Sequence, residues 1–283
     1  MLATRRSPLA RRQAELARAA FAATADAWWK KIELLELTTT GDRQRDWSLT
    51  TQGGKGLFTR ELEEALLENR AHLAVHSAKD LPTALPKGLT LAGFLPRADA
   101  RDVLVRRAQV KIPRRVATGS PRRRAQALAW WPKVEWMEIR GNIDTRLKKI
   151  AAGEADATFL AAAGLERLGI DKFAGLVFEP LPIEKMIPAA GQGAIALEGR
   201  AGEVKKYARA LCAMTTRAVL VERAALAALG GGCQMSSAAH LAGNQLHIFH
   251  EPKGRAVFAV AEKSTAKARS AAVAAITAWL NTQ

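Results

Sequence analysis

The sequence has little cysteine, few acids for its number of bases, and no long apolar run. Cys212 and Cys233 are the two cysteines in 283 residues, too few to staple a chain of this size and spaced unlike zinc ligands. Each reads on its own as a small buried hydrophobe. The histidines offer no metal site: His247 and His250 fall on opposite faces of an expected strand, and His72 and His76 lack a third ligand at metal spacing. No stretch approaches the ~20 apolar residues of a membrane span. The opening Met1-Leu2-Ala3-Thr4-Arg5-Arg6 meets Pro8 and Arg11-Arg12 before an apolar region develops, so no signal peptide is expected. A 48% hydrophobic and 25% charged composition excludes a disordered tail protein. No internal repeat or low-complexity linker is evident. A soluble, cytoplasmic chain of two or three domains is expected.

What the sequence has in excess is positive charge: 43 Lys and Arg against 27 Asp and Glu, a formal net charge of +16. Residues 97–149 hold fifteen of those bases and five acids. Such an excess points to an anionic partner. Nucleic acid is the first candidate at a pI of about 10.4. However, the bases sit at turns and helix starts beside Gly, Ser, Thr and Asn rather than along one stripe. That arrangement favours discrete carboxylates or phosphates over a polymer backbone.

Strand and helix patterns alternate along the chain. Residues 2–4, 32–37, 72–76, 103–105, 116–118, 134–139, 157–160 and 194–197 read as strands. Helices are expected from Ser7-Pro8 to about Phe21, across Phe58, Leu62, Ala65 and Leu66, and from near Pro121, Ile143 and Ala161. This order predicts an α/β fold, doubly wound and mostly parallel, with a second unit starting near Pro96. In such sheets ligands bind beyond the carboxyl ends of the strands, where the basic and glycine-rich turns fall. The last ~75 residues follow a different element order. Helices from Glu203 and Thr215 come first, then strands over residues 245–249 and 256–260, and a final Ala-rich helix from Thr265, making an α+β cap.

Three strand-to-helix junctions are basic. In Thr118-Gly119-Ser120-Pro121-Arg122-Arg123-Arg124, Ser120 caps a helix whose first turn is cationic, against the helix dipole. An anion held by backbone N–H groups and guanidinium forks resolves that conflict; a solvated basic turn is the alternative. Arg140-Gly141-Asn142, with Arg146 following, and Arg5-Arg6-Ser7 repeat the arrangement, and planar Arg suits carboxylates. Gly53-Gly54-Lys55-Gly56 fails as a phosphate loop, since Leu49 and Gly56 stand where glycine and a hydroxyl residue belong; it is a loop carrying Lys55. Asp80 is an acid embedded among these bases just beyond a strand. It is placed either for proton transfer and cation stabilisation or as a backbone-capping turn residue before Leu81-Pro82. Cys233 follows three glycines, where a thiol serves as a nucleophile or attachment point or stays inert.

Six motifs in order carry a resemblance: Ala3-Thr4-Arg5-Arg6-Ser7-Pro8-Leu9-Ala10, Gly53-Gly54-Lys55-Gly56-Leu57-Phe58, Ala74-Val75-His76-Ser77-Ala78-Lys79-Asp80-Leu81-Pro82, Arg140-Gly141-Asn142, Pro188-Ala189-Ala190-Gly191-Gln192-Gly193-Ala194 and Gly231-Gly232-Cys233-Gln234. The chain resembles the porphobilinogen deaminase (hydroxymethylbilane synthase) family from residue 3 to about 234, and in layout beyond. The resemblance implies two periplasmic-binding-protein-like domains hinged around a cleft, residues 1–94 with 191–208 and residues 95–190. A small α+β domain, residues 209–283, carries the cysteine. It implies head-to-tail condensation of four porphobilinogen molecules with loss of ammonia, on a dipyrromethane cofactor held by a thioether to Cys233, then hydrolysis to hydroxymethylbilane. Asp80 matches the catalytic aspartate, assisting ammonia loss and stabilising the cationic azafulvene. Lys79, Asp80, Thr118, Ser120, Arg122, Arg123, Arg140 and Gly141 match cofactor-binding positions; Arg5, Ser7, Phe58, Arg140, Arg146, Arg167 and Gln192 match substrate-binding ones. Lys55 lies on the loop. No metal, nucleic-acid or membrane partner is implied, and a monomer is expected. A non-catalytic binder of anions or tetrapyrrole precursors on the same fold is the alternative.

Overall fold

A computed structural model describes residues 1–24, 31–43, 56–231 and 236–282. The chain builds β1 (Leu2–Arg5), α1 (Pro8–Ala22), β2 (Leu34–Leu37), α2 (Thr40–Arg43), α3 (Arg60–Leu67), β3 (Leu73–Ser77), a 3₁₀ turn at Ala78–Asp80 and β4 (Leu89–Phe94). It then crosses to β5 (Asp102–Arg107), β6 (Arg115–Ala117), α4 (Pro121–Ala127), β7 (Glu135–Met137), α5 (Ile143–Ala151), β8 (Ala157–Ala161), α6 (Ala162–Arg167) and β9 (Leu176–Pro180). It returns as β10 (Ile195–Arg200) and a 3₁₀ stretch at Val204–Ala210. It ends with α7 (Ala213–Ala228), β11 (Ser237–Ala242), β12 (Gln245–His250), β13 (Gly254–Ala259) and α8 (Thr265–Asn281). No helix among the described residues is long and apolar enough to cross a membrane.

Three sheets result, with orders β2-β1-β3-β10-β4, β7-β6-β8-β5-β9 and β11-β12-β13. The α/β class and its smaller α+β unit are as expected. Parallel pairing is only half the story. In the first sheet β1 pairs parallel with β2 and β3, whereas β10 runs antiparallel between β3 and β4. In the second, β6 pairs parallel with β7 and β8, and β5 runs antiparallel between β8 and β9. Four strands of each sheet thus share a direction, and the strand that the chain enters directly after a crossing, β10 or β5, is the inverted one.

Local chemistry explains the elements. Ser7 caps α1, its Oγ accepting from Ala10 N at 3.3 Å, with Pro8 at the first helical position. Ala10, Ala14, Ala17 and Phe21 recur at helical spacing and are buried. Ser120 caps α4 in the same way, accepting from Arg123 N at 3.4 Å. Asn142 stands at the N-cap of α5 without a side-chain bond. The stretch after Glu203 is 3₁₀ rather than α. β4, β9 and β11 complete the sheets beyond the strands expected from the sequence.

The two crossings, residues 94–102 and 181–194, are laced together. Gln192 Nε2 donates to Ala100 O at 2.7 Å, Ala98 N to Gly193 O at 3.1 Å, and Arg97 Nε to Gln192 O at 2.8 Å. A Cβ on Gly193 (φ +83°) would lie 2.5 Å from Ala98 O, so this approach requires glycine. The third unit fastens here through Glu222 of α7. Its carboxylate accepts from Arg97 Nη1 and Nη2 at 2.6 and 3.1 Å, and from Gly191 N and Leu241 N, both at 2.8 Å. Burial would lift the Glu222 carboxyl, but Arg97 and His240 bring it down to about 2.

Candidate functional site

The basic junctions and Asp80 lie where the central strands of the first two sheets end. In the first sheet Arg5 closes β1, and β3 ends at Ser77, where the 3₁₀ turn carries Lys79 and Asp80 outward. A recess of about 70 Å³ opens there, lined by Arg5, Ser7, Phe58, Thr59, His76 and Asp80 among others. The Arg5 guanidinium stacks on Phe58, 4.3 Å from the ring centre, and clasps the Asp42 carboxylate with Nε (3.1 Å) and Nη2. Burial would raise the Asp42 carboxyl, but Arg5 and Thr39 hold it below its ordinary value. Asp42 is a site residue that sequence reasoning missed. Its signal was the Thr39-x-x-Asp42 spacing of a capping box, and Thr39 N and Oγ1 do donate to Asp42 Oδ2 at 3.3 and 2.8 Å.

Asp80 is exposed and its carboxylate makes no hydrogen bond among the described residues, so the backbone-capping alternative finds no support. Lys79 beside it is half-buried. Burial, with Arg123 nearby, lowers it to about 8, against the pull of Asp80 and Asp102.

The second sheet brings Thr118, Ser120, Arg122, Arg123, Arg140, Gly141 and Arg146 to the facing side. Thr118 is buried and its Oγ1 accepts from Ser120 N at 3.2 Å. The cations in the first turn of α4 meet a carboxylate of the chain itself. Asp102, fully buried on β5, accepts from Arg122 Nη1 at 2.8 Å and from Arg123 Nε and Nη2 at 2.9 and 2.7 Å. Arg122 also donates to Ile187 O and Arg123 to Phe159 O. The arginine pair holds Asp102 far below the carboxylate range. Gly141 has φ +107°, and Arg146 Nε donates to its carbonyl at 2.8 Å. Burial and Arg123 lower Arg146 to about 10, while Asp80 opposes the shift. Lys79 thus feels the second sheet's arginines, and Arg146 feels the first sheet's Asp80: the two strand-end clusters form one electrostatic site.

Arg167 and Gln192 lie at the hinge. Arg167 Nη2 donates to Gly193 O at 2.6 Å, and Gln192 is fully buried against Ala100. Lys55 and Cys233 lie outside the described residues. Cys212, the other thiol, stands at the N-cap of α7, and hydrogen bonding to Thr215 lowers its pKa. Among the described residues no ion pair joins Lys79, Arg140, Arg146 or Arg167 to an acid. A group bearing several carboxylates, as a dipyrromethane with acetate and propionate arms does, matches that donor set.

Residues 1–208 match the family model described as porphobilinogen deaminase, dipyromethane cofactor binding domain. The porphobilinogen deaminase of Sphingopyxis alaskensis is 44% identical over 250 residues, covering 84% of this chain and 78% of that protein. That of a Caulobacter species is 43% identical over 235 residues (81% and 73%), and that of Syntrophomonas wolfei 41% over 228 residues (77% and 74%). Solved structures of an ABC transporter from Parabacteroides distasonis (TM-score 0.45, 14% identity, 73% of this chain and 67% of that one) and of the Escherichia coli periplasmic aliphatic sulphonate binding protein (0.43, 13%, 72% and 62%) are distant likenesses on which nothing rests. With a family model spanning most of its length and relatives above 40% identity, the chain belongs to the porphobilinogen deaminase family, transferases of tetrapyrrole synthesis with a dipyrromethane cofactor.

Proposed function

We propose that the cleft between the first two sheets holds the growing, acid-rich pyrrole chain through its free cations while Asp80 works at the reacting end. The overall reaction is that of the family: four porphobilinogen molecules are joined head to tail, each losing ammonia, and the linear product is freed by hydrolysis. The dipyrromethane, attached at Cys233, supplies the first free pyrrole α-position. Lys79, Ser120, Arg140 and Arg146 bind acetate and propionate groups, and Arg5, Ser7 and Phe58 seat the incoming ring. Each charge-assisted hydrogen bond contributes about 1.5–3 kcal/mol. Arg122 and Arg123, tied to Asp102, shape this surface and add field; Arg167 and Gln192 act through the hinge.

The observation that carries the reading is Asp80 itself, an exposed carboxylate without a hydrogen bond among the described residues and within the field of cations from both sheets. Breaking the aminomethyl C–N bond sends its electron pair to nitrogen and leaves a cation on the ring. Asp80 stabilises that charge, and the neighbouring ring's α-carbon attacks. Residues 1–94 with 191–208, 95–190 and 209–283 act as three domains, in a cytoplasmic monomer that binds no nucleic acid.

Intact-mass measurement tests the primer: the native protein should exceed its chain mass by a two-pyrrole adduct that Cys233→Ser lacks. Asp80→Asn should keep the fold and the adduct yet lose turnover by about 100-fold or more. Unmodified native protein would remove the covalent primer, and near-normal turnover by Asp80→Asn would remove Asp80 from the chemistry.

A further inference from the structure

Behind the recess lies a buried group of titratable side chains with no part in the chemistry proposed for Asp80. β3 and β10 pair with His76 opposite Ala196 and Ala74 opposite Glu198, so His76 and Glu198 are diagonal neighbours on one face. His76 Nε2 lies 3.0 Å from Glu198 Oε2. Glu63 of α3 covers the same face, within the field of both. Glu198 is 0%, His76 5% and Glu63 8% exposed. His76 Nε2, both Glu198 oxygens and Glu63 Oε1 all lack an aligned hydrogen bond among the described residues, a concentration of unmet polar atoms that interiors rarely hold without a use. Burial first, and then Glu198, pushes the Glu63 carboxyl above its ordinary value. The imidazole thus stands between the recess on one side and two buried carboxylates on the other. The cluster meets the reacting end at one point, because His76 also lines the recess shared by Asp80, Arg5 and Thr59.

We propose that His76 is a positioning residue for the condensation, passing a proton between the recess and the buried Glu198–Glu63 pair so that Asp80 regains its carboxylate form after each ring is added. This rests on the proposed role of Asp80. In each cycle the C–N bond breaks with its electron pair on nitrogen, the C–C bond forms, and the α-carbon's proton passes to Asp80. From Asp80 the proton crosses the recess to one ring nitrogen of His76, and the other ring nitrogen releases its proton to Glu198. The reverse path returns a proton to the departing ammonia, which leaves as ammonium. Nothing is oxidised or reduced. The charged groups around the imidazole are Glu198 from β10 at 3.0 Å and Glu63 from α3, with Arg5 from β1 and Asp80 from the 3₁₀ turn lining the same recess.

The test compares cofactor-loaded His76→Gln, Glu198→Gln and Glu63→Gln with wild type, the loaded fraction read by intact mass and the fold by thermal unfolding. His76→Gln and Glu198→Gln should lower kcat by about 10–100-fold per loaded molecule, with KM within about twofold, and flatten one limb of the kcat–pH profile. Glu63→Gln removes the more distant member of the pair and should lower kcat less than Glu198→Gln does, by about three- to tenfold. Imidazole added to His76→Ala should restore turnover. Should His76→Gln fail to load, Glu198→Gln decides. Wild-type kcat and pH profile in loaded Glu198→Gln, or a kcat loss that merely tracks lost loading, overturns the proposal. Loss of turnover in Asp80→Asn beside an unaffected Glu198→Gln would defeat this inference alone, whereas an active Asp80→Asn would defeat the site reading beneath it.

Discussion

The first two sheets use one strand plan to place opposite chemistry. β1 and β6 occupy the same place in their sheets, and each runs into a helix through a similar junction: Thr4-Arg5-Arg6-Ser7-Pro8 in one, Thr118-Gly119-Ser120-Pro121 in the other. Both threonines are buried, both serines cap, and both prolines open the helix. The arginines differ. Arg5 precedes its cap and pairs with Asp42 at the recess mouth, with side chains 23% and 21% exposed. Arg122 and Arg123 follow theirs and close on the fully buried Asp102. A part-exposed pair contributes little net stability and can exchange its carboxylate for a ligand's. A buried pair cannot open without leaving uncompensated charge. Similar junctions therefore make an exchangeable guanidinium in one sheet and a fixed one in the other.

The sharpest way to break this comparison is Asp102→Asn. Two buried guanidinium groups would lose their counter-charge, and denaturant unfolding should register a loss of about 3–5 kcal/mol; a change below about 1 kcal/mol would show that the pair is not fixed. Lys79 sets a smaller effect. With its pKa lowered to about 8, the ligand-free fold binds fewer protons than the unfolded chain between pH 8 and about 10.5, so this group makes stability rise with pH across that window. Carboxylate binding needs the charged form. Affinity of the unprimed Cys233→Ser protein for a free dipyrromethane should fall roughly fivefold from pH 8 to 9 with proton uptake in calorimetry, and Lys79→Gln should remove that dependence. The smallest effect belongs to Asp42→Asn. It should change stability by under about 1 kcal/mol and lower the KM for porphobilinogen about two- to threefold by freeing Arg5. A raised KM with a larger stability loss would place Asp42 among the fixed partners instead. The Arg5–Asp42 contribution should be full above the ordinary carboxylate range and vanish as pH falls through the lowered Asp42 value.

Much of this was legible locally. Ser7-Pro8 and Ser120-Pro121 announce helix starts because a hydroxyl cap and a preset φ act within a few residues, and both caps form as expected. The Thr118-to-Arg124 segment pointed to a bound anion, whereas the carboxylate that meets Arg122 and Arg123 is the chain's own Asp102, some 20 residues upstream on an inverted strand, a pairing that depends on sheet order. β11, Ser237–Ala242, escaped because its small residues carry little strand propensity and pair only once β12 is beside them. Gln192 read through its motif as a substrate-binding residue at the hinge-side edge, and its amide donates to Ala100 across the hinge, a partner that only the folded chain supplies. The likeness of the two sheets left almost no repeat in the sequence beyond the Thr…Ser-Pro junctions.

Sequence alone determined the alternation of strand and helix, the caps, the concentration of bases at strand ends and the acid at position 80, because these depend on neighbours within a few residues. Tertiary structure decided which bases stay free. Pairing β5 and β10 in reverse brings Asp102 under Arg122 and Arg123, and Glu198 under His76. A charge is silenced or left available by what lies across a sheet, and at distances of about 3 Å that partner is set by register and burial rather than by proximity along the chain.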